Sequence, residues 1–256
     1  MLLVVDIGNT NTVLGVYNER ELVAHWRLET KLSQTSDEYG VLTRNLFLLA
    51  GIDASHIRHI IIASVVPPLN SVLEQMALQY FLVRPLFVEP GVKTGMPVLY
   101  ENPSDVGADR IVNAVAAFQT YGGPCIVVDF GTATTFDAIS RKGEYLGGVI
   151  TPGPGISAEA LFTRTARLPR VEIKAPAKVI GTSTVGSIQS GLYYGYIGLV
   201  DGILERMKRE LGPRTVVVAT GGFAELIGNG THLIQHTNPN LTLEGLRLIF
   251  EKNMPR

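Results

Sequence analysis

At 256 residues and 27.7 kDa, the chain is long enough for one large domain or two of ordinary size. Hydrophobic residues make up 46% and charged residues 18%, enough apolar mass for a core, and the net charge of −1 lacks the basic footprint that nucleic acid or an anionic membrane requires. The first apolar run, Leu2 to Val5, has no basic leader, no segment approaches bilayer length, and the single cysteine, Cys125, sits in a strand-like run; a soluble protein of the reducing cytoplasm is expected.

The chain opens with "VVDIGNTNT", an apolar run that ends in Asp6 and gives way to Gly8 and short polar residues. A second strand, the polar tip "NERE" and a third strand complete a β-meander. Helix and strand then alternate. "TSDEYGVLTRNLFLLAGI" has helical spacing behind a Ser/Asp cap, "IRHIIIASVV" is a buried strand ending at Pro67-Pro68, and "LNSVLEQMALQYF" is helical again. A short strand, "PLFVE", precedes the helix "SDVGADRIVNAVAAFQTYGG", which stops at Gly122-Gly123. From residue 127 the opening returns as "VVDFGTATT", 123 positions on, and the register holds without a gap through "VLGVYNERELVAHWRLE" and "FDAISRKGEYLGGVITP". A repeat of about half the chain indicates two similar domains, 1–121 and 122–256, each α/β with a mixed sheet. A long helix over about 183–211, the strand "RTVVVATGG" and the helix "LEGLRLIFEK" follow. The five histidines show no metal-binding spacing on a helix; His232 and His236 fall in the turn-rich "THLIQHTNPN" and read as surface residues.

The repeated turn has a chemical use. Glycine lets backbone N–H groups approach an anion, and Thr and Asn add short donors. The strand-end Asp cannot favour a phosphate, so its natural partner is a cation with retained waters. Two such turns would grip a polyphosphate from both sides; ordinary hairpin turns are the alternative, which a single copy would favour. The absence of G-x-x-x-x-G-K-[ST] and of G-x-G-x-x-G removes the P-loop and dinucleotide readings. A third glycine element, Gly221-Gly222, joins a strand to a helix and would allow a flat ring or ribose to lie against the backbone. The long helix carries Ile188, Leu192, Leu199, Ile203 and Met207, three tyrosines and the glycines 191 and 195. Apolar on most sides, it needs burial on more than one face, which its own domain or a symmetric homodimer would supply.

These turns resemble the acetate and sugar kinase/Hsp70/actin superfamily, two ribonuclease H-like domains with a nucleotide cleft between them. "DIGNTNT", "NPSDVGADRIVNAVAAF", "VDFGTATTFD", "GGVITPG" and "ATGG" come in the order of the type III pantothenate kinases, and "GADR" is the most specific of them. The resemblance implies transfer of phosphate from ATP to pantothenate, with Mg²⁺ and a monovalent cation, K⁺ or ammonium. It implies that Asp6, Ile7, Gly8, Asn9, Thr10, Asn11, Thr12 and Val13 wrap the ATP phosphates, with Asp6 holding Mg²⁺ through water. Thr132 would reach the phosphates from the second domain, Asp129 would hold the monovalent cation, and Gly221 and Gly222 would face adenosine. Asp109 would be the catalytic base, a helix-end carboxylate being its alternative. Arg110 would pair with the substrate carboxylate or else be a solvated helix charge, and Tyr100, Gly107, Ala108 and Thr184 would line pantothenate; Thr184 could also be only a cap. The rivals are another small-molecule kinase of the superfamily and a nucleotide-binding regulatory protein without turnover.

Overall fold

The computed structural model describes residues 1–254. Contacts divide the chain into two units. In the first, β1 (Leu2–Ile7), β2 (Asn11–Asn18) and β3 (Glu21–Glu29) form an antiparallel meander, followed by α1 (Ser36–Leu49), β4 (His59–Ser64), α2 (Asn70–Phe81), β5 (Leu86–Phe87) and α3 (Ala108–Tyr121). The sheet order is β3-β2-β1-β4-β5, with β4 parallel to both β1 and β5. A capping box starts α1: Thr35 accepts from the Glu38 N–H, and the Glu38 carboxylate accepts from the Thr35 N–H. Leu3, Val5 and Ile7 of β1 pack with Tyr39, Phe47, Leu73 and Met76 in one core. Strand alternation therefore sends Val4 and Asp6 to the opposite face.

The second unit repeats the plan. It holds β6 (Cys125–Phe130), β7 (Ala133–Ile139), β8 (Tyr145–Pro152), α4 (Pro154–Thr163), α5 (Thr184–Leu211), β9 (Val216–Gly221), α6 (Ala224–Gly228) and β10 (His236–Thr237). Its sheet order, β10-β9-β6-β7-β8, is that of the first sheet read from the other edge. β6 stands 123 residues after β1 at both of its ends, as the repeat requires. Ile126, Val128 and Phe130 join Tyr193, Tyr196, Val200 and Leu204 of α5 in the core, so Asp129 lies on the other face of its sheet, as Asp6 does on its own. β10 escapes sequence reading because it has two residues and no apolar alternation; His236 within it is exposed and stacks on Tyr121 at 4.6 Å.

The units are not two halves cut at residue 121. The first consists of residues 1–96, 102–116 and Thr242 onward, the second of 97–101 and 117–241. The last helix, α7 (Leu241–Asn253), belongs almost wholly to the first unit. Gly245 brings α7 onto the Val112 carbonyl so closely that a Cβ would collide, and the Thr242 hydroxyl donates to Asn113 Oδ1 at 2.7 Å. Arg247 lies over the Tyr17 ring at 5.6 Å. Burial, more than any neighbouring charge, pushes the Tyr17 hydroxyl up to about 12.

Candidate active site

The turn between β1 and β2 is closed by the Gly8 N–H, which donates to the Asn11 carbonyl at 2.9 Å. Asn9 and Thr10 are exposed at its tip, and Asp6, Gly8, Asn11 and Val13 are half-buried. Ile7 and Thr12 are fully buried, and the Thr12 hydroxyl is hydrogen-bonded to that of Thr30 at 2.9 Å. These two residues shape the turn and present no surface to a ligand, which corrects the expectation that all eight residues line the nucleotide.

The start of α3 stands beside this turn. The Val65 N–H, just past β4, donates to the Ile7 carbonyl at 3.0 Å, so the chain leaving β4 runs along the end of β1. Gly107 lies against Val65: a Cβ there would be 3.3 Å from Val65 Cγ1 and only 2.5 Å from Asp109 Oδ1. The Asp109 carboxylate thus folds back over Gly107 and accepts from the Arg110 N–H at 2.8 Å. Burial raises the Asp109 carboxyl above its ordinary value; the N–H and the guanidinium of Arg110 pull it down, but less. Arg110 is 8% exposed, so the reading as a solvated helix charge falls. Ala108 is half-buried next to it. Within one unit, then, a glycine turn rich in short donors and a proton-hungry carboxylate share one end of a sheet, where open α/β sheets place their ligands.

In the second unit Asp129 and Gly221 are brought together. Gly221 has φ +91°, and a Cβ on it would stand 2.5 Å from Asp129 Oδ1 and 2.7 Å from the Phe130 backbone. Only glycine serves there. The Gly222 N–H donates to the Phe130 carbonyl at 3.1 Å. Thr132 is exposed on the β6–β7 turn, whose carbonyl accepts from the Gly153 N–H at 2.9 Å. Tyr100 and Thr184 sit on other elements. Tyr100, 37% exposed, lies beside β8 with its ring 3.4 Å from the place of a Gly147 Cβ. Thr184 is the first residue of α5, but Ser183 is the cap, accepting from the Gly186 N–H at 3.1 Å. The Thr184 hydroxyl is left exposed and unused by the helix end.

Among the described residues no group of three or more His, Cys, Asp or Glu could hold a metal. The donor set fits a hydrated divalent ion carried mainly by phosphate oxygens, with one carboxylate as a water-mediated anchor. Sequence reasoning missed Val65, which packs against Gly107 in the first unit, and Gly153, which holds the β6–β7 turn in the second. Gly153 lay inside the quoted "GGVITPG", whereas Val65, one apolar residue past a buried strand, carried no signal.

The sequence profile of the family described as type III pantothenate kinase matches residues 2–206. A type III pantothenate kinase of Koribacter versatilis (strain Ellin345) is 63% identical over 263 residues, covering 99% of this chain and 96% of the relative. One from Anaeromyxobacter sp. (strain Fw109-5) is 60% identical, covering 99% and 100%. Among solved structures, the inorganic polyphosphate/ATP-glucomannokinase of Arthrobacter sp. strain KM superposes with a TM-score of 0.50 at 12% identity, covering 98% of this chain and 97% of that one. That similarity shows the fold alone, and it is the duplicated fold of the sugar kinases. At such identity across nearly the full length of both sequences, this chain belongs to the type III pantothenate kinase family.

Proposed function

We infer that the chain does what its family is named for. It is an ATP-dependent kinase that phosphorylates pantothenate to 4′-phosphopantothenate in coenzyme A biosynthesis. The observation in the structure that supports a residue assignment best is the Asp109 carboxylate, half-buried, held over Gly107 and shifted towards proton binding.

In this reading the acceptor is a primary alcohol whose proton must leave as the phosphoryl group arrives. Asp109 takes that proton, and its raised pKa makes it a better acceptor than an ordinary carboxylate. Arg110 pairs with the pantothenate carboxylate, while Gly107, Ala108, Tyr100 and Thr184 seat the rest of the substrate. Asp6, Gly8, Asn9, Thr10, Asn11 and Val13 hold the phosphates, with Ile7 and Thr12 fixing the turn beneath. Thr132 contributes a hydroxyl to the phosphates, and Gly221 and Gly222 provide the flat surface for adenosine. A kinase of this family works on ATP with a divalent metal. We take that metal to be Mg²⁺, held by Asp6 through water; when bound, it neutralises charge on the β- and γ-oxygens. Asp129 holds K⁺ or ammonium, offsetting phosphate charge that has no P-loop lysine here.

A homodimer through α5 belongs to the same proposal. Tyr193, Tyr196, Val200 and Leu204 face the core, whereas Gly191, Gly195 and Gly198 have open space where their side chains would be, and Tyr194 beside them is 37% exposed. No described helix is long and apolar enough to cross a membrane, and a cytoplasmic location fits a reaction that consumes ATP. The test of the function is ADP release from the purified chain. It should depend on pantothenate and be negligible with sugars, acetate or water; release independent of pantothenate would overturn the reading.

A further inference from the structure

Two fully buried polar residues, Asp137 on β7 and Tyr145 at the start of β8, have no part in the roles above. The Tyr145 hydroxyl donates to Asp137 Oδ1 at 2.7 Å, and the Thr135 hydroxyl donates to Asp137 Oδ2 at 3.1 Å. A buried carboxylate is a costly way to join two strands, because apolar side chains of similar size would pack there without the desolvation penalty. What it supplies instead is a fixed position for the tyrosine ring.

That ring has one conspicuous neighbour. The Tyr145 N–H donates to the Pro97 carbonyl and its own carbonyl accepts from the Leu99 N–H, both at 2.8 Å, so the segment 97–99 is laid against the start of β8 as a short parallel bridge. Tyr100 follows, its ring centroid 6.4 Å from that of Tyr145 at a 56° tilt. Beyond it, residues 101–105 are all exposed, with only a short turn of 3₁₀ helix. Tyr100 is thus the last residue of a segment whose anchorage is Tyr145.

We propose that Asp137 and Tyr145 are positioning residues for Tyr100: the buried hydrogen bond fixes the Tyr145 ring, and that ring and its backbone fix the Tyr100 ring that receives pantothenate. The proposal rests on the assignment of Tyr100 as a substrate contact. It assigns no chemistry to Asp137 or Tyr145, whose effect reaches the substrate only through Tyr100.

The experiment is steady-state kinetics and thermal melting of the full chain and five variants, with pantothenate and ATP varied separately. Tyr100→Leu should raise KM for pantothenate about tenfold, with KM for ATP within about twofold. Tyr145→Phe should raise the same KM at least about threefold and leave kcat nearly unchanged. Because Tyr145→Phe strips a donor from a buried carboxylate, the double variant Tyr145→Phe/Asp137→Val removes both polar partners and keeps the test valid if the single variant folds poorly. Asp137→Asn keeps an acceptor oxygen for Tyr145 and should stay within about twofold of the parent. In the fifth variant, Tyr100→Leu/Tyr145→Phe, the second substitution should add nothing, an outcome that a merely structural tyrosine would not give. Additive effects there, or an unchanged KM in both Tyr145 variants that lack the hydrogen bond, overturn the proposal alone. An unchanged KM in Tyr100→Leu overturns the role of Tyr100 and the proposal with it.

Discussion

Gly107→Ala tests whether the carboxylate geometry at the start of α3 is the working one. The new Cβ would lie 2.5 Å from Asp109 Oδ1, about 0.9 Å short of ordinary contact at 3.4 Å, so the carboxylate has to move by roughly that amount. Val65 Cγ1, at 3.3 Å, needs to give very little. Gly107 has an ordinary negative φ, hence alanine brings no backbone strain. The collision is with the end of one side chain, so stability should drop only by the N-cap difference between glycine and alanine, about 0.5–1 kcal/mol or a few degrees in Tm. Catalysis is less forgiving: misplacing a reacting group by about 1 Å can cost on the order of 10²-fold. We expect kcat in a coupled ADP-release assay to fall about 10²-fold, with KM for ATP within about twofold and a melting curve near the parent's. A Gly107→Ala enzyme with kcat within about twofold of the parent would refute the claim that Asp109 acts from this position.

Asp109→Asn keeps the acceptor for the Arg110 N–H but cannot take a proton; kcat should fall on the order of 10²–10⁴. Because burial raises the folded-state pKa, the native protein binds this proton more tightly than the unfolded chain, so ionised Asp109 costs stability as pH rises through the unfolded value towards the folded one. At neutral pH the asparagine variant should therefore melt no lower than the parent, and the acid limb of the parent's pH–rate profile should lie above the ordinary carboxylate range; a clearly lower Tm contradicts the assigned sign. Replacing K⁺ by Na⁺ should weaken ATP binding, and Asp129→Ala should abolish that difference; equal kinetics in both salts removes the cation role. Gly195→Leu has open space in a single chain, so it should leave the melting of a monomer unchanged while shifting sedimentation equilibrium from dimer to monomer; a parent that sediments as a monomer at micromolar concentration ends the dimer proposal.

Much of the fold was legible because the same physics was written twice. β1 and β6 each alternate an apolar core face with a face that ends in Asp, and the offset of 123 residues carried the prediction from one meander to the other. The glycines were legible as a pattern but not as reasons. That Gly221 is obligatory, with φ +91° and Asp129 Oδ1 2.5 Å from the place of its Cβ, rests on a contact between residues whose proximity no spacing reveals. Thr12 misleads for the opposite reason. It has the composition of a phosphate donor, yet alternation along β2 turns it inward onto Thr30. The place of α7 was hidden as well, since an amphipathic helix does not state which sheet it will cover.

The course of the chain through its two units has a consequence for biosynthesis. The N-terminal unit lacks α7 until residues 242 onward leave the ribosome, so Gly15, Tyr17 and Val112 wait for Leu243, Arg247 and Gly245 through the synthesis of the whole intervening unit. At roughly 5–20 residues per second, the 126 residues from 116 to 242 correspond to an interval of about 6–25 seconds. During that interval the second unit can collapse around its own sheet, while the first has its meander and β4 but one uncovered face. The part of the protein translated first is thus the last to become complete, and a nascent chain stalled before α7 would leave Gly15 and Tyr17 of β2 without their partners.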